Sequence, residues 1–165
     1  MTTRRHPLAG WTAALLVLAL DQASKYWFVD VYGIAGRPPL RVTGFFDILL
    51  VWNYGISYGL FQQDGELGRY VLIGLTVLAC LLIAVWMRRS AGRIAALSLG
   101  LILGGAVGNA IDRIFRGAVV DLFHFHWGDF SWYVFNLADA AIVAGVAGLL
   151  YDSFLGGHNR AQNPG

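Results

Sequence analysis

The sequence predicts an integral membrane protein, mainly α-helical, with four transmembrane helices and a small extracytoplasmic β-sheet, a cradle. Composition is the first reason: 57% of the 165 residues are hydrophobic and only 13% are charged, against about 25% charged in an average soluble domain. The second is a set of four apolar stretches, approximately 8–29, 70–87, 94–114 and 134–154. Each is long enough to cross a hydrocarbon layer that takes about 20 helical residues. The third is the segment 40–62, whose Val, Phe, Ile, Leu and Trp fall in short runs bounded by Gly, as in strands. Residues 1–165 are read as a single membrane-embedded domain, too short for a second.

The first stretch follows Arg4 and Arg5 and could pass for a secretion signal. No small-x-small cleavage pattern follows its apolar run, which continues into "DQASKYWFV" with helical character. It is therefore read as a retained helix. The connection after it, "LRVTGFFDILLVWNYGISYGLF", is too apolar for a free loop and is expected to lie as a sheet on the outer membrane surface. Between the second and third stretches, "RRSAGR" packs three arginines into six residues. Short arginine-rich links stay on the cytoplasmic side, so both termini and 88–93 are expected inside, with 30–69 and 115–133 outside. The last ten residues look frayed. A net charge of +2 with no basic run beyond two residues does not suggest nucleic acid, and the single cysteine, Cys80, rules out an internal disulfide and reads as packing.

The polar residues then fall in a pattern. Asp21 and Lys25 stand i, i+4 near the outer end of the first span, in the favoured order for a helical ion pair. Asn53 lies in the outer sheet, Asn109, Asp112 and Arg113 end the third span, Asp121 follows it, and Asn136 and Asp139 open the fourth. A carboxylate at the bilayer centre costs roughly 2.5–3.5 kcal/mol even on an insertion scale, so such residues must face protein or water. All converge on the outer boundary. Gly100, Gly104 and Gly108, and likewise Ala140, Ala144 and Gly148, recur at intervals of four. Such stripes let helix backbones approach closely and would bring Asp139 near the Asp112–Asp121 region.

Several chemistries fail on spacing. Ser24 and Lys25 are adjacent and point to different helix faces. His124 and His126 with Asp121 could hold a metal, but they sit among interfacial aromatics and lack an HExxH pattern. A cysteine peptidase would need a histidine beside Cys80, which the expected topology forbids. A carboxylate pair remains. Asp21 with Lys25, and Asp112 with Arg113, read as ion pairs, which leaves Asp121 and Asp139 as the catalytic candidates. Two close aspartates share one proton; one can take a proton from water while the other donates to the scissile bond.

Five motifs in order carry a resemblance: "DQASK" at 21–25, "NYGISYG" at 53–59, "GGAVGNAIDR" at 104–113, "VVDLF" at 119–123 and "FNLADAAI" at 135–142. Together they resemble the motif set of the lipoprotein signal peptidases (signal peptidase II). These are intramembrane aspartic peptidases that cut bacterial prolipoproteins just before a diacylglyceryl-modified cysteine. The resemblance implies a catalytic dyad of Asp121 and Asp139. It places Lys25, Asn53, Gly55, Gly108, Asn109, Asp112, Arg113, Asn136 and Ala138 at positions that shape the substrate site or hold the dyad. It implies no metal and no cofactor, lipidated prolipoproteins and membrane lipids as partners, a monomer, and a multi-pass protein of the bacterial cytoplasmic (inner) membrane with its active site near the outer face. Tyr58, Leu122 and Tyr133 depart from the family's frequent residues, which bears on preference and surface shape. Two other classes would also embed acids. A transporter would place them near the midplane between repeated halves, and a scaffold subunit would leave Asp121 and Asp139 without a purpose.

Overall fold

The computed structural model describes residues 6–55, 66–90 and 92–162, with the side chains of 155–162 excepted. Arg4, Arg5, Tyr58 and the 56–62 end of the expected outer β region lie outside the described residues. Four α-helices are present: α1 (Pro7–Tyr26), α2 (Glu66–Arg89), α3 (Arg93–Phe115) and α4 (Leu137–Gln162). Pro7 stands in the first turn of α1, where its missing N–H has no intrahelical partner to lose. A π-helical turn, Trp27–Val31, continues α1 outward.

Among the described residues, α2, α3 and the Leu137–Phe154 part of α4 are long and apolar enough to cross a membrane. The helix α1 does not meet that measure, since its last turns carry Asp21, Gln22, Ser24 and Lys25. At the other end of the chain α4 runs on to Gln162, through most of the segment expected to fray.

The central helix is α3, packed against α4, α1 and α2. Its glycines decide how closely. A Cβ on Gly100 or Gly104 would run into the backbone of Gly10 or Ala14 in α1, and one on Gly105 would meet the Ala138 carbonyl of α4. The expected α3 stripe is therefore a real seam, against α1 at Gly100 and Gly104. The expected α4 stripe is only partly right. Gly145 and Gly148 face Ser98 and Ile102 of α3, whereas Ala140 and Ala144 are exposed and line a cleft. An interval of four drifts around a helix of 3.6 residues per turn, so 138, 145 and 148 keep the contact face better than 140, 144 and 148. Below this seam Ala14, Met87, Leu99 and Leu103 form a core, with Cys80 packed on it.

Four antiparallel strands form one sheet in the order β1 (Leu40–Arg41), β2 (Phe46–Asn53), β3 (Val119–Trp127) and β4 (Phe130–Ser131). Half of it comes from the connection after α3, where the sequence alone suggests only an outer link. The signal was present in "VVDLFHFHW", where β-branched and aromatic residues dominate. Val120 and Leu122 point into a second core with Ile34 and Ile48, roofed by Phe28 and Tyr32; Leu122, one of the family departures, is fully buried there. The β2–β3 register slips between Ile48↔Phe123 and Val51↔Asp121. That places one extra residue on β2, a bulge that bends the strand beside Asp121.

The seam predicts a contrast between two glycines. Gly104→Val should destabilise the protein by about 1–3 kcal/mol, as overpacking does, because no side chain there can yield to backbone. Gly74 in α2 has open space around its Cβ position, and Gly74→Ala should be neutral or stabilising by up to about 1 kcal/mol. Thermal unfolding of both variants in one detergent checks this; equal losses would contradict it.

Candidate active site

The site is built where β3 meets the start of α4. Val119–Asn53 and Val51–Asp121 are register pairs, so Asn53 and Asp121 are diagonal neighbours on one sheet face. Asn53 Nδ2 donates to Asp121 Oδ2 at 3.1 Å, and Asn53 Oδ1 in turn accepts the Gly55 N–H at 3.1 Å. Phe135 bridges to Phe123, exchanging backbone hydrogen bonds of 2.8 and 3.0 Å. This strand-like pairing delays the start of α4 to Leu137, three residues after the expected 134. It also sets Asn136 beside Asp121.

Asn136 therefore precedes the helix instead of lying within it. Its Oδ1 accepts the Asp139 N–H at 2.9 Å, and its own N–H is directed to Asp139 Oδ2 at 3.3 Å. This is a reciprocal capping arrangement with Asp in the position usually held by Glu or Gln. Asp139, one turn into α4, is thus held by the helix's own start. Asn136 Nδ2 donates to Asp121 Oδ1 at 2.7 Å, and Asn109 Nδ2 to Asp139 Oδ1 at 2.8 Å. Every oxygen of the two carboxylates faces an N–H donor.

Beneath the pair lies a buried ionic knot. Lys25 Nζ is 2.8 Å from Asp21 Oδ2 and 2.7 Å from Asp112 Oδ2, with both side-chain partners fully buried. Asp21 Oδ1 accepts the Ala138 N–H at 3.0 Å, and Asp112 Oδ2 accepts the Val120 N–H at 3.2 Å. Each of these aspartates therefore holds the backbone N–H immediately before one of the candidate catalytic aspartates. Gly108 makes room: a Cβ there would strike Asp21 Oδ2. Gln22 Nε2 reaches Asp21 Oδ2, the Gly108 carbonyl and Asp112 Oδ1, each at 3.2 Å.

All eleven residues named from the sequence meet at this one place. The expected Asp112–Arg113 pair is not what forms. Neighbours on a helix diverge: Asp112 turns to Lys25, while Arg113 donates to the Gly55 carbonyl at 2.9 Å and toward the Asn109 carbonyl at 3.4 Å. Asp21, expected as the ion-pair partner of Lys25, and Gln22 also belong to the site. Their signal was position: polar residues within the same "DQASK" run, one turn or less from Lys25. His124 and His126 lie elsewhere on the sheet, bonded to Ser131 Oγ at 2.8 Å and paired with Asp47 at 3.2 Å.

Two clefts meet at Asp139, and the first also reaches Asp121. One, of about 730 Å³, is lined by Val51, Trp52, Asn53, Asp121, Phe135 and Asp139 and runs down α4 past Val143. The other, of about 390 Å³, passes Asn109, Arg113 and Asp139 and descends between Leu75, Ala79 and Ile102. Burial pushes the Asp121 carboxyl up to about 7, and the Asp139 charge adds to it; the Asn53 and Asn136 amides and Lys25 pull the other way. Buried to this degree beside a second acid, Asp121 can hold or release a proton near neutrality.

Residues 13–155 match the family described as signal peptidase (SPase) II. A lipoprotein signal peptidase of Beijerinckia indica is 56% identical over 145 residues, covering 88% of this chain and 87% of that protein. One from Nitrobacter hamburgensis is 55% identical over 151 residues, covering 89% and 92%. A solved bacterial membrane enzyme shares the fold with a TM-score of 0.80 at 22% identity, over 92% of this chain and 90% of that one.

The Asp121 environment fixes the sign of a pH effect. Its carboxyl rises from 3.8 in an ordinary setting to about 7 in the fold, so the folded state binds the proton more tightly than the unfolded one. The resulting stabilisation is complete below about pH 4 and is lost as pH rises through about 7. Relative to Asp121→Asn, the wild type should therefore lose melting temperature between those values. A difference between the two proteins that stays constant with pH would contradict the raised carboxyl.

Proposed function

Because the chain belongs to the signal peptidase II family of aspartic peptidases, we propose that Asp121 and Asp139 are its catalytic dyad. The substrate is a diacylglyceryl-modified prolipoprotein, cut on the N-terminal side of the lipidated cysteine. One observation carries the assignment: two acids in a shared cleft, with all four oxygens turned to N–H donors and, among the described residues, neither carboxylate in an ion pair. Donors on every oxygen orient both carboxylates and leave their remaining lone pairs for water, substrate and each other.

The dyad carries one proton at neutral pH. The ionised member takes a proton from a water molecule, which attacks the scissile carbonyl. The protonated member donates first to the carbonyl oxygen, and the proton balance is restored when the amine of the lipidated cysteine leaves as a neutral group. No covalent intermediate forms. The reaction needs water, and the sheet and the 132–135 segment keep the carboxylates at the end of the helices instead of at mid-depth.

Recognition rests on where the bond is presented. Two acyl chains hold the cysteine at the bilayer boundary, which makes attack effectively intramolecular. The apolar walls of both clefts, rising from within the helices to the dyad, suit a substrate that arrives through lipid. In this reading α1 is a fourth span, its polar end shielded by α3 and α4. Both termini and the 88–93 link lie in the cytoplasm, the sheet lies outside the inner membrane, and a single copy suffices, since the dyad's donors come from one chain.

Asp121→Asn and Asp139→Asn should each abolish nearly all cleavage, by at least about a thousandfold given what acid–base groups contribute, while inserting normally. An unlipidated precursor should be cut at least about a hundredfold more slowly than its lipidated match, the order that misplaced reacting groups cost. Mass-shift assays at matched protein levels check both. Cleavage by either variant at the wild-type rate removes that residue from the dyad, and equal rates on both precursors remove lipid as the recognition element.

A further inference from the structure

Two of the three side-chain amides around the dyad, those of Asn109 and Asn136, take their hydrogen-bond directions from one origin. A lysine ammonium has three N–H donors and no acceptor. Those of Lys25 go to Asp21 Oδ2 at 2.8 Å, Asp112 Oδ2 at 2.7 Å and Asn109 Oδ1 at 3.2 Å. The Asn109 amide must therefore turn its oxygen toward Lys25 and its nitrogen toward Asp139 Oδ1, 2.8 Å away. The same Asn109 oxygen accepts from Asn136 Nδ2 at 3.2 Å, and the other N–H of that amide goes to Asp121 Oδ1 at 2.7 Å. Asn136 Oδ1 is left to cap the Asp139 N–H at 2.9 Å. Asn53 is fixed separately, by the Gly55 N–H on its oxygen.

If Asn109 turned over, its nitrogen would face the Lys25 and Asn136 donors with nothing to accept. Its oxygen would face Asp139, which could meet it only by carrying the dyad's proton. The proton would then be hydrogen-bonded to an amide, away from Asp121 and the substrate. Resting on the dyad reading above, we propose that Lys25 is a positioning residue for the reaction: its ammonium fixes the direction of the Asn109 and Asn136 amides, so that neither amide offers the shared proton an acceptor in place of the partner carboxylate. This goes beyond its role as an ion-pair partner, which any arrangement of balanced charges would satisfy.

The test separates charge from direction. Lys25→Met strands Asp21 and Asp112. Lys25→Met combined with Asp112→Asn keeps the wild-type net charge of −1 over positions 21, 25 and 112 and keeps an oxygen for the Val120 N–H. Membrane-inserted, monodisperse wild type, Asp139→Asn and both Lys25 variants are assayed on one lipidated precursor. The double variant should recover thermal stability over the single one, yet keep kcat at least about a hundredfold below wild type, the order of a misplaced catalytic group, with KM little changed. In the single variant, if it folds, the alkaline limb of the pH–rate profile should move to higher pH. The ionisable groups that bear on it are Asp21 and Lys25 on α1, Asp112 and Arg113 on α3, Asp121 on β3 and Asp139 on α4.

A double variant with wild-type kcat overturns the proposal and leaves Lys25 a charge partner only. One that fails to fold overturns it too, since Lys25 would then serve assembly. A wild type that leaves the precursor uncut, or an Asp139→Asn variant that cuts it, faults the dyad reading and not the role of Lys25.

Discussion

A single buried ammonium, Lys25 between Asp21 and Asp112, is the constraint on which the rest of the site depends. Three charges removed from water at the end of a helix bundle must satisfy one another, because removing one partner of such a set costs about 3–5 kcal/mol. They do so by spending their remaining lone pairs on backbone. Asp21 holds the N–H of Ala138 and Asp112 that of Val120, so the knot fixes the chain one residue before Asp139 and one residue before Asp121. A helix start and a β-strand, far apart in sequence, are set to a common reference. The geometry of the dyad follows from the geometry of the knot.

Close helix packing makes the knot possible. Gly108 admits the Asp21 carboxylate between α1 and α3, and Gly105 admits the Ala138 carbonyl of α4. With any larger residue at these points, α1 and α4 would stand too far from α3 for Lys25 and Asn109 to span the gap. The sheet completes the site from the other side. Its bulge between Ile48 and Val51 lets β2 curve, and Asn53 comes over Asp121 as a result. The helices thus supply the depth of the site, and the sheet supplies its roof.

Much of this was legible in the residues. Charges cannot be scattered in an apolar chain without partners, so polar positions on four segments at one boundary had to converge, and they do. Long apolar runs place α1, α2 and α3 to within about four residues at each end, whereas α4 starts three residues later and ends eight residues later than the run 134–154. What was not legible depended on contacts between segments. Whether Asp112 pairs with Arg113 or Lys25 turns on which face α1 presents, and adjacency in sequence pointed to the wrong partner. The 119–127 strand is harder to read because its long pairing partner, β2, lies some seventy residues earlier, and its pairings with β4 and Phe135 are short. Asn136 looked helical in a helical run until the Phe123–Phe135 bridge claimed the residues before it. Its capping exchange with Asp139 is nonetheless written in their spacing of three.

The account joins these facts in one claim: two carboxylates, both surrounded by donors, hold a single proton between them at neutral pH and use it on a bond presented at the membrane boundary. Infrared difference spectroscopy of the carboxyl stretch tests that claim most directly. The spectrum of the wild type minus that of the Asp121→Asn/Asp139→Asn double variant, recorded across pH, isolates the dyad from every other acid. The account predicts one protonated carboxyl per molecule on the acid side of neutrality, disappearing with a midpoint near 7, where burial and the neighbouring charge place Asp121. A spectrum showing both carboxyls ionised from pH 5 upward would contradict it, as would two protons retained together through neutrality.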